Sequence, residues 1–325
     1  MSEYSGTMQH IRLIFALAMA ALVPASGHAQ EWPSKAVNVI VPFDPGGNTD
    51  VMARMASARL AAELKQPFVV ENRVGAAGAI AATYVGQATP DGYTLLFGAA
   101  PQFAVVPKIQ RVNYDPVNGF VPISIFGTGP FILAIGAAIP AKTIQEFAAY
   151  GKGRQLNYGS GGVGSIGHLS GALFVARAGL DAVHVPFRGG APALSALLAG
   201  QVDMYFGNAS ELIPHADGGK IRILGVATDK RMVQLPAVPT ISEVYENFAL
   251  SSWNGFLAPA RTPPAIVERL ARLVIAATRE PAIVEQLGKL GITPNGTTPE
   301  EFAAQIKREQ PQFDAAIAAA KLVSN

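Results

Sequence analysis

The sequence predicts two α/β units in series, joined by two crossover segments with a cleft between them. Three observations carry this. Short runs rich in Val, Ile and Phe alternate with helical, often Ala-rich segments, which is the pattern of a parallel sheet covered by helices. The alternation occurs twice, over residues 36–97 and again over residues 157–227. Two apolar stretches, residues 121–135 and 252–259, lie outside both runs and are placed to connect them.

Residues 36–43 (AVNVIVPF) read as a strand that stops at Pro45-Gly46-Gly47, a tight turn. Thr49 or Asp50 is then expected to cap a helix running to about Lys65, with Met52, Met55, Leu60 and Leu64 at helical spacing. A strand at 68–71, a turn at Gly75 to Gly78, a helix at 79–88 and a strand at 94–97 complete a β-α-β-α-β order with right-handed crossovers. In the second unit Asn157-Tyr158 ends a short strand, and a glycine turn leads into a helix over 166–178. A strand at 182–187, the turn Arg188-Gly189-Gly190, a helix at 192–199 and strands at 202–206 and 222–227 follow. Helices over 265–278 and 283–290 and a long one from Pro299 close the chain and are expected to return to the first unit. Lobe 1 is therefore assigned residues 30–128 and 252–325, and lobe 2 residues 129–251.

Residues 1–29 stand apart. His10 and Arg12 precede an uninterrupted apolar run, residues 13–23 (LIFALAMAALV), and Gly27-His28-Ala29 offers small residues for a cut before Gln30. These are the parts of a cleavable secretory signal. The run is shorter than the roughly 20 residues that span a bilayer, and no later stretch is long enough, so the mature chain is expected to be soluble. No cysteine follows to carry a lipid anchor.

Composition narrows the chemistry. A net charge of +2 is too mild to point to nucleic acid or an anionic membrane surface. Charged residues are 15% and apolar residues 50%, as expected of a large core, and some 300 mature residues favour two domains. The absence of cysteine removes disulfides, thiol nucleophiles and Cys-ligated metals. The sequence has no G-x-S-x-G elbow and no H-E-x-x-H, so no catalytic residue, metal or cofactor is assigned.

In an open parallel sheet, ligands bind beyond the carboxyl ends of the strands, where helix N-termini point. The loops expected there are Pro45-Gly46-Gly47-Asn48-Thr49-Asp50, Gly75-Ala76-Ala77-Gly78, Gly98-Ala99, Ser160 to Ser165 and Arg188-Gly189-Gly190-Ala191. Glycine lets the backbone turn its N–H groups inward, and each helix start carries partial positive charge, so loops from both lobes would grip an anion across the cleft. Gly159 to Gly164 matches G-x-G-x-x-G, with Asp181 placed 22 residues after Gly159. An exported protein has little access to a dinucleotide, however, and the same loop serves a small carboxylate. Arg188, at the cleft end of its strand, is the best placed cation. His168, in the first turn after Ser165, is a candidate to face the cleft, whereas His184 and Asp203 read as structural. Phe43 is assigned to an apolar part of the ligand, Asn208 is a further candidate contact, and Trp253 reads as packing between lobes.

These residues resemble a known family. Pro42-Phe43-Asp44-Pro45-Gly46-Gly47-Asn48-Thr49-Asp50 with Ala53-Arg54 is similar to the first-loop signature of the Bug family, the periplasmic substrate-binding proteins of tripartite tricarboxylate transporters. The similarity continues through Glu71-Asn72-Arg73, Gly75-Ala76-Ala77-Gly78 and Pro90-Asp91-Gly92-Tyr93-Thr94-Leu95. It resumes at Gly164-Ser165-Ile166-Gly167-His168-Leu169 and at Val185 to Leu194, and later at Gly200-Gln201-Val202-Asp203 and Leu235 to Thr240. The resemblance implies a type II periplasmic binding fold, with two Rossmann-like lobes that close on a ligand. It implies that backbone N–H groups and bridging waters at Pro45 to Asp50 and Gly75 to Gly78 hold a carboxylate. Second-lobe contacts are implied at Ser160, Gly164, Ser165, Arg188, Gly189 and Ala191. Arg188 stands where the family often has Lys, giving a planar fork suited to a carboxylate. The implied function is capture of a small carboxylate in the periplasm by a monomer that hands it to integral membrane transporter subunits. A ligand sensor that presents its closed form to a sensor kinase is the alternative. Aliphatic, nicotinate-like and terephthalate-like acids all stay open as ligands.

Overall fold

The computed structural model of the chain describes residues 32–228, 230–248 and 250–322. The export signal assigned to residues 1–29 and its cut before Gln30 lie outside the described residues.

From residue 35 onward the chain builds β1 (Val37–Val41), α1 (Asn48–Leu64), β2 (Phe68–Asn72), α2 (Ala79–Gly86) and β3 (Thr94–Ala99). As expected for strands joined by helical crossovers, β1 pairs in parallel with both β2 and β3. Two one-turn helices (Pro101–Ala104 and Val106–Ile109) lead to β4 (Phe120–Gly136). The second lobe follows as α3 (Ile144–Gly151), β5 (Gln155–Ser160), α4 (Ile166–Ala178), β6 (Asp181–Pro186), α5 (Gly190–Leu198), β7 (Met204–Asn208), α6 (Ala209–Asp217) and β8 (Ile221–Val226). Finally come β9 (Ser251–Pro259), α7 (Pro264–Ala277), α8 (Pro281–Lys289), the short β10 (Thr293–Pro294) and α9 (Pro299–Ala319).

The strand order is β2-β1-β3-β9-β4-β7-β5-β6, with β8 and β10 also pairing with β4. The two apolar connecting stretches are therefore strands, antiparallel to each other, because in this position their backbone groups find ladder partners. Residues 120–130 of β4 pair with β9, and residues 131–136 pair with β7 and β8. One continuous strand thus serves both sheets. The return path is equally direct: Leu250 N–H donates to the Ala227 carbonyl in the second sheet, and Ser252 pairs with Gly129 in the first.

Two local expectations are corrected. The cap of α1 is Gly47, in extended conformation, so Thr49 and Asp50 fall inside the first turn. Gly98-Ala99 is not a loop, because β9 offers partners at Gly255 and Asn254 that keep β3 extended. Asp203 is structural as expected, its carboxylate accepting from Asn157 N–H at 2.7 Å.

Trp253 lies in the core rather than on a cleft wall, 1% exposed and edge-on to Phe302 at 4.7 Å between ring centroids. Its neighbours make α9 a brace: the helix starts with a Thr298/Glu301 capping box, packs on β4, and also packs on α4 of the second lobe. Among the described residues no helix is long and apolar enough to cross a membrane.

Candidate functional site

The first loop is held by one carboxylate. Asp50 is 2% exposed and accepts from Gly46 N–H, Arg54 Nε, Arg54 Nη2 and Asn72 Nδ2, each at 2.9 Å. Burial works against its ionisation, but the hydrogen bonds from Arg54, Gly46 and Asn72 prevail and hold its carboxyl below the usual range. Asn72 Nδ2 also donates to the Phe43 carbonyl at 2.9 Å, tying the residue before the loop to the same knot. Thr49 Oγ1 donates to Asn254 Oδ1 at 2.7 Å and is buried. The side chains of Thr49 and Asp50 therefore shape the loop from beneath. Pro45 and Gly46 are exposed, and Phe43, Gly47 and Asn48 are half-buried at its surface.

The second loop is strained. Gly75, Ala76, Ala77 and Gly78 all have positive φ, at 132°, 47°, 52° and 92°. For alanine the left-handed region costs about 1–2 kcal/mol per residue, so something must hold the turn in place. The holder is Gln102, fully buried, whose Nε2 donates to the Ala77 carbonyl at 2.9 Å while its Oε1 accepts from Ala99 N–H at 2.8 Å. Gln110 Nε2 donates to the Ala76 carbonyl at 3.3 Å, and Gly78 N–H to the Gly75 carbonyl at 2.9 Å. A Cβ on Gly78 would lie 2.2 Å from Gln102 Nε2, so glycine is required there by space as well as by φ. These bonds engage the turn's carbonyls, and the N–H groups of Gly75, Ala76 and Ala77 have no hydrogen-bond partner among the described residues. Successive amides of this kind form an anion-binding concavity.

In the second lobe the Ser160 loop rests on a histidine pair, His168 buried and His184 half-buried. His168 and His184 stack with centroids 3.7 Å apart and planes 10° from parallel. His168 Nδ1 accepts from Gly164 N–H at 3.1 Å, so the neutral ring carries its proton on Nε2. His184 Nε2 lies 2.6 Å from Ser160 Oγ, which also accepts from Gly162 N–H at 3.1 Å. Burial pushes the His168 pKa down to about 4; burial, and then the charge of its neighbour, push His184 down to about 3. Both rings are neutral at pH 7. The side chains of Ser160 and His168 are committed to the loop's underside, and His184 belongs to the same support. Ser165 Oγ caps α4 by accepting from His168 N–H at 3.2 Å. Arg188 and Ala191 are exposed, and Arg188 has no hydrogen-bond or ion-pair partner among the described residues.

Three contacts bring the loops of the two lobes face to face. A Cβ on Gly189 would lie 3.0 Å from Asp44 Oδ2, and one on Gly164 would lie 2.6 Å from Ile109 Cδ1. Ser210 Oγ donates to Asn48 Oδ1 at 3.4 Å. Asn48 and Asn208 also meet over Gly129, where a Cβ would sit 3.0 Å from Asn48 Nδ2 and 3.5 Å from Asn208 Oδ1. Of the candidate residues, Asn48, Asn208, Gly164 and Gly189 are thus brought close to the opposite lobe. Among the described residues no group of His, Cys, Asp and Glu is placed to hold a metal ion.

A model of the tripartite tricarboxylate transporter family receptor matches residues 52–322. The chain belongs to this family. A solved R. palustris protein with adipate is 32% identical, covering 91% of this chain and 100% of its own, with a TM-score of 0.86. The periplasmic binding protein BugD is 31% identical over 90% of this chain and 100% of its own, TM-score 0.83. MatC from Rhodopseudomonas palustris, with bound malate, is 32% identical over 88% of this chain and 100% of its own, TM-score 0.81. The Bug-family resemblance carried by the loop motifs is borne out, and with it the two-lobed periplasmic binding fold of this family receptor.

Sequence reasoning missed Gln102, Asn72 and Asn254. Asn72 sits within a motif already singled out. No local spacing, however, links Gln102 to Ala77 or Asn254 to Thr49, which are 25 and 205 positions apart.

Proposed function

We propose that this family receptor works in the periplasm, captures a small carboxylate by cleft closure, and delivers it to the membrane subunits of a tripartite transporter. The observation that carries the reading is the Gly75–Gly78 turn, with four consecutive positive-φ residues held by Gln102. Strain of this kind persists only where surrounding contacts impose it, and successive amides in such a turn are suited to receive an anion. The adipate and malate bound by similar proteins support a carboxylate as the anion.

In this reading the ligand carboxylate sits against the backbone of Pro45, Gly46, Gly47 and Asn48 and of Gly75, Ala76, Ala77 and Gly78. Phe43 offers it an apolar edge. Thr49 and Asp50 set the loop that holds it. From lobe 2, Arg188, Gly189, Ala191 and Asn208 close over the far side, on a loop supported by Ser160, Gly164, Ser165 and His168. The lobes pivot where residues 128–129 and 251–252 pass between the sheets. Contacts to both lobes exist only when the cleft is shut, so ligand shifts the population to the closed form.

A thermal-shift screen of the mature chain against mono-, di- and aromatic carboxylates tests this. A ligand at 100 times its dissociation constant adds about 2.7 kcal/mol of stability, readily seen as a raised melting temperature. No shift with any carboxylate, alongside a shift with a neutral solute, would sink the proposal.

A further inference from the structure

We infer that Glu211 sets the selectivity of this cleft: its carboxylate favours small carboxylates whose far end carries a hydrogen-bond donor, such as an amide, hydroxyl or ammonium, over dicarboxylates. The inference rests on the carboxylate-receptor reading and adds a ligand class to it.

The argument begins with position. Glu211 lies in the first turn of α6, and its side chain reaches the first residue of α5. A Cβ on Gly190 would lie 2.6 Å from Glu211 Oε2 and 2.9 Å from Oε1, so the carboxylate fills the space that any side chain at residue 190 would need. Its neighbours on either side are the cross-lobe contacts. Gly189, next to Gly190, meets Asp44 of lobe 1, and Ser210, next to Glu211, meets Asn48 of lobe 1. Glu211 therefore sits between two points at which the lobes touch.

Its bonding leaves it able to accept more. Tyr205 Oη donates to Oε2 at 3.2 Å and Asn208 Nδ2 donates to Oε1 at 3.2 Å. A carboxylate offers about four acceptor positions, so two have no partner among the described residues. No Lys or Arg forms a salt bridge with Glu211 among the described residues, and Asp44, also acidic, lies beside the adjacent Gly189. Arg188 is exposed at the loop before α5. Burial raises the Glu211 carboxyl above its ordinary range despite the bonds from Asn208 and Tyr205, as expected where a charge has little to neutralise it. A second ligand carboxylate placed here would meet like charge, while an uncharged or cationic donor would meet an acceptor.

The pairs that isolate this effect share one shape: a diacid and its half-amide. Succinate with succinamate, glutarate with glutaramate, adipate with adipamate, and terephthalate with its monoamide are titrated calorimetrically into the mature protein at pH 8. For the chain length that binds, the half-amide should bind at least tenfold tighter than the diacid. Glu211→Gln, which removes the charge and keeps the size, should move that ratio at least tenfold toward the diacid. A wild-type protein that binds the diacid as well as the half-amide overturns the inference and leaves the receptor reading standing. So does a Glu211→Gln ratio within threefold of wild type. If neither member of any pair binds, the inference is overturned, and the carboxylate reading beneath it falls as well only if the full carboxylate screen is also negative. The wild-type ratio decides the question even where the variant does not fold.

Discussion

Replacing Gln102 by Leu removes the side chain that holds the strained turn while keeping a buried residue of similar size. The structure sets the magnitude. Two hydrogen bonds are lost, to Ala77 carbonyl and from Ala99 N–H, and Ala99 is 2% exposed, so its amide is left buried without a partner. An unsatisfied buried amide costs about 1–3 kcal/mol, so a loss near 2 kcal/mol is expected, which is about 4–8 °C in melting temperature. The larger effect falls on binding. Freed from Gln102, Ala76 and Ala77 relax from φ 47° and 52°, and the ligand must then restore both, against about 1–2 kcal/mol each. A net 2–3 kcal/mol corresponds to an affinity roughly 30- to 150-fold weaker. Calorimetry with a carboxylate that binds wild type reads this directly, with circular dichroism as the folding control. A folded Gln102→Leu protein with affinity within threefold of wild type would refute the claim that Gln102 preorganises the turn.

Three further outcomes follow from the same geometry. Ala77→Gly should stabilise the protein by about 0.5–1 kcal/mol in urea denaturation, because relief of the left-handed penalty exceeds the entropy that glycine adds to the unfolded chain; a destabilised variant would show that the turn is not strained. Arg188→Ala should weaken carboxylate binding at least tenfold with the melting temperature unchanged, since Arg188 is exposed and has no partner among the described residues; equal affinity by calorimetry removes Arg188 from the site. For the histidine pair the folded pKa values, about 4 and about 3, lie below the ordinary 6.5, so the fold favours the neutral rings. Their contribution is complete above pH 6.5 and is lost as pH falls toward 4. His184→Phe should therefore lose less stability between pH 7 and pH 4.5 than wild type does, measured by urea midpoints, and parallel losses would contradict this.

The elements that read clearly in the sequence are those whose own residues carry the pattern. The helix expected over 166–178 has those bounds, because Ser165 caps it and Gly179, at φ 62°, ends it. The strands before the glycine turns were legible for the same reason. What was not legible depends on partners distant in the chain. Residues 121–135 read only as a connection, yet they lie in a strand, since β9 and the second sheet supply the ladder. Helices α3 and α6 gave too little sequence signal to be assigned. In the site, the glycine loops were visible as turns, but their supports were not. Asp50 was read as a cap and ligand neighbour, whereas it ties Gly46, Arg54 and Asn72 together beneath the loop. His184 was read as core packing but is half-buried, and its role under Ser160 depends on a residue 24 positions away.

The central claim is that backbone amides of the strained turn receive the ligand carboxylate. Amide chemical shifts of the isotope-labelled mature protein, followed while a bound carboxylate is titrated, test it most directly. Binding through the turn predicts that the amide protons of Ala76 and Ala77 move downfield and saturate at the calorimetric dissociation constant, together with those near Asn48. A carboxylate that binds with the same constant while the Ala76 and Ala77 amides stay unmoved would contradict the account.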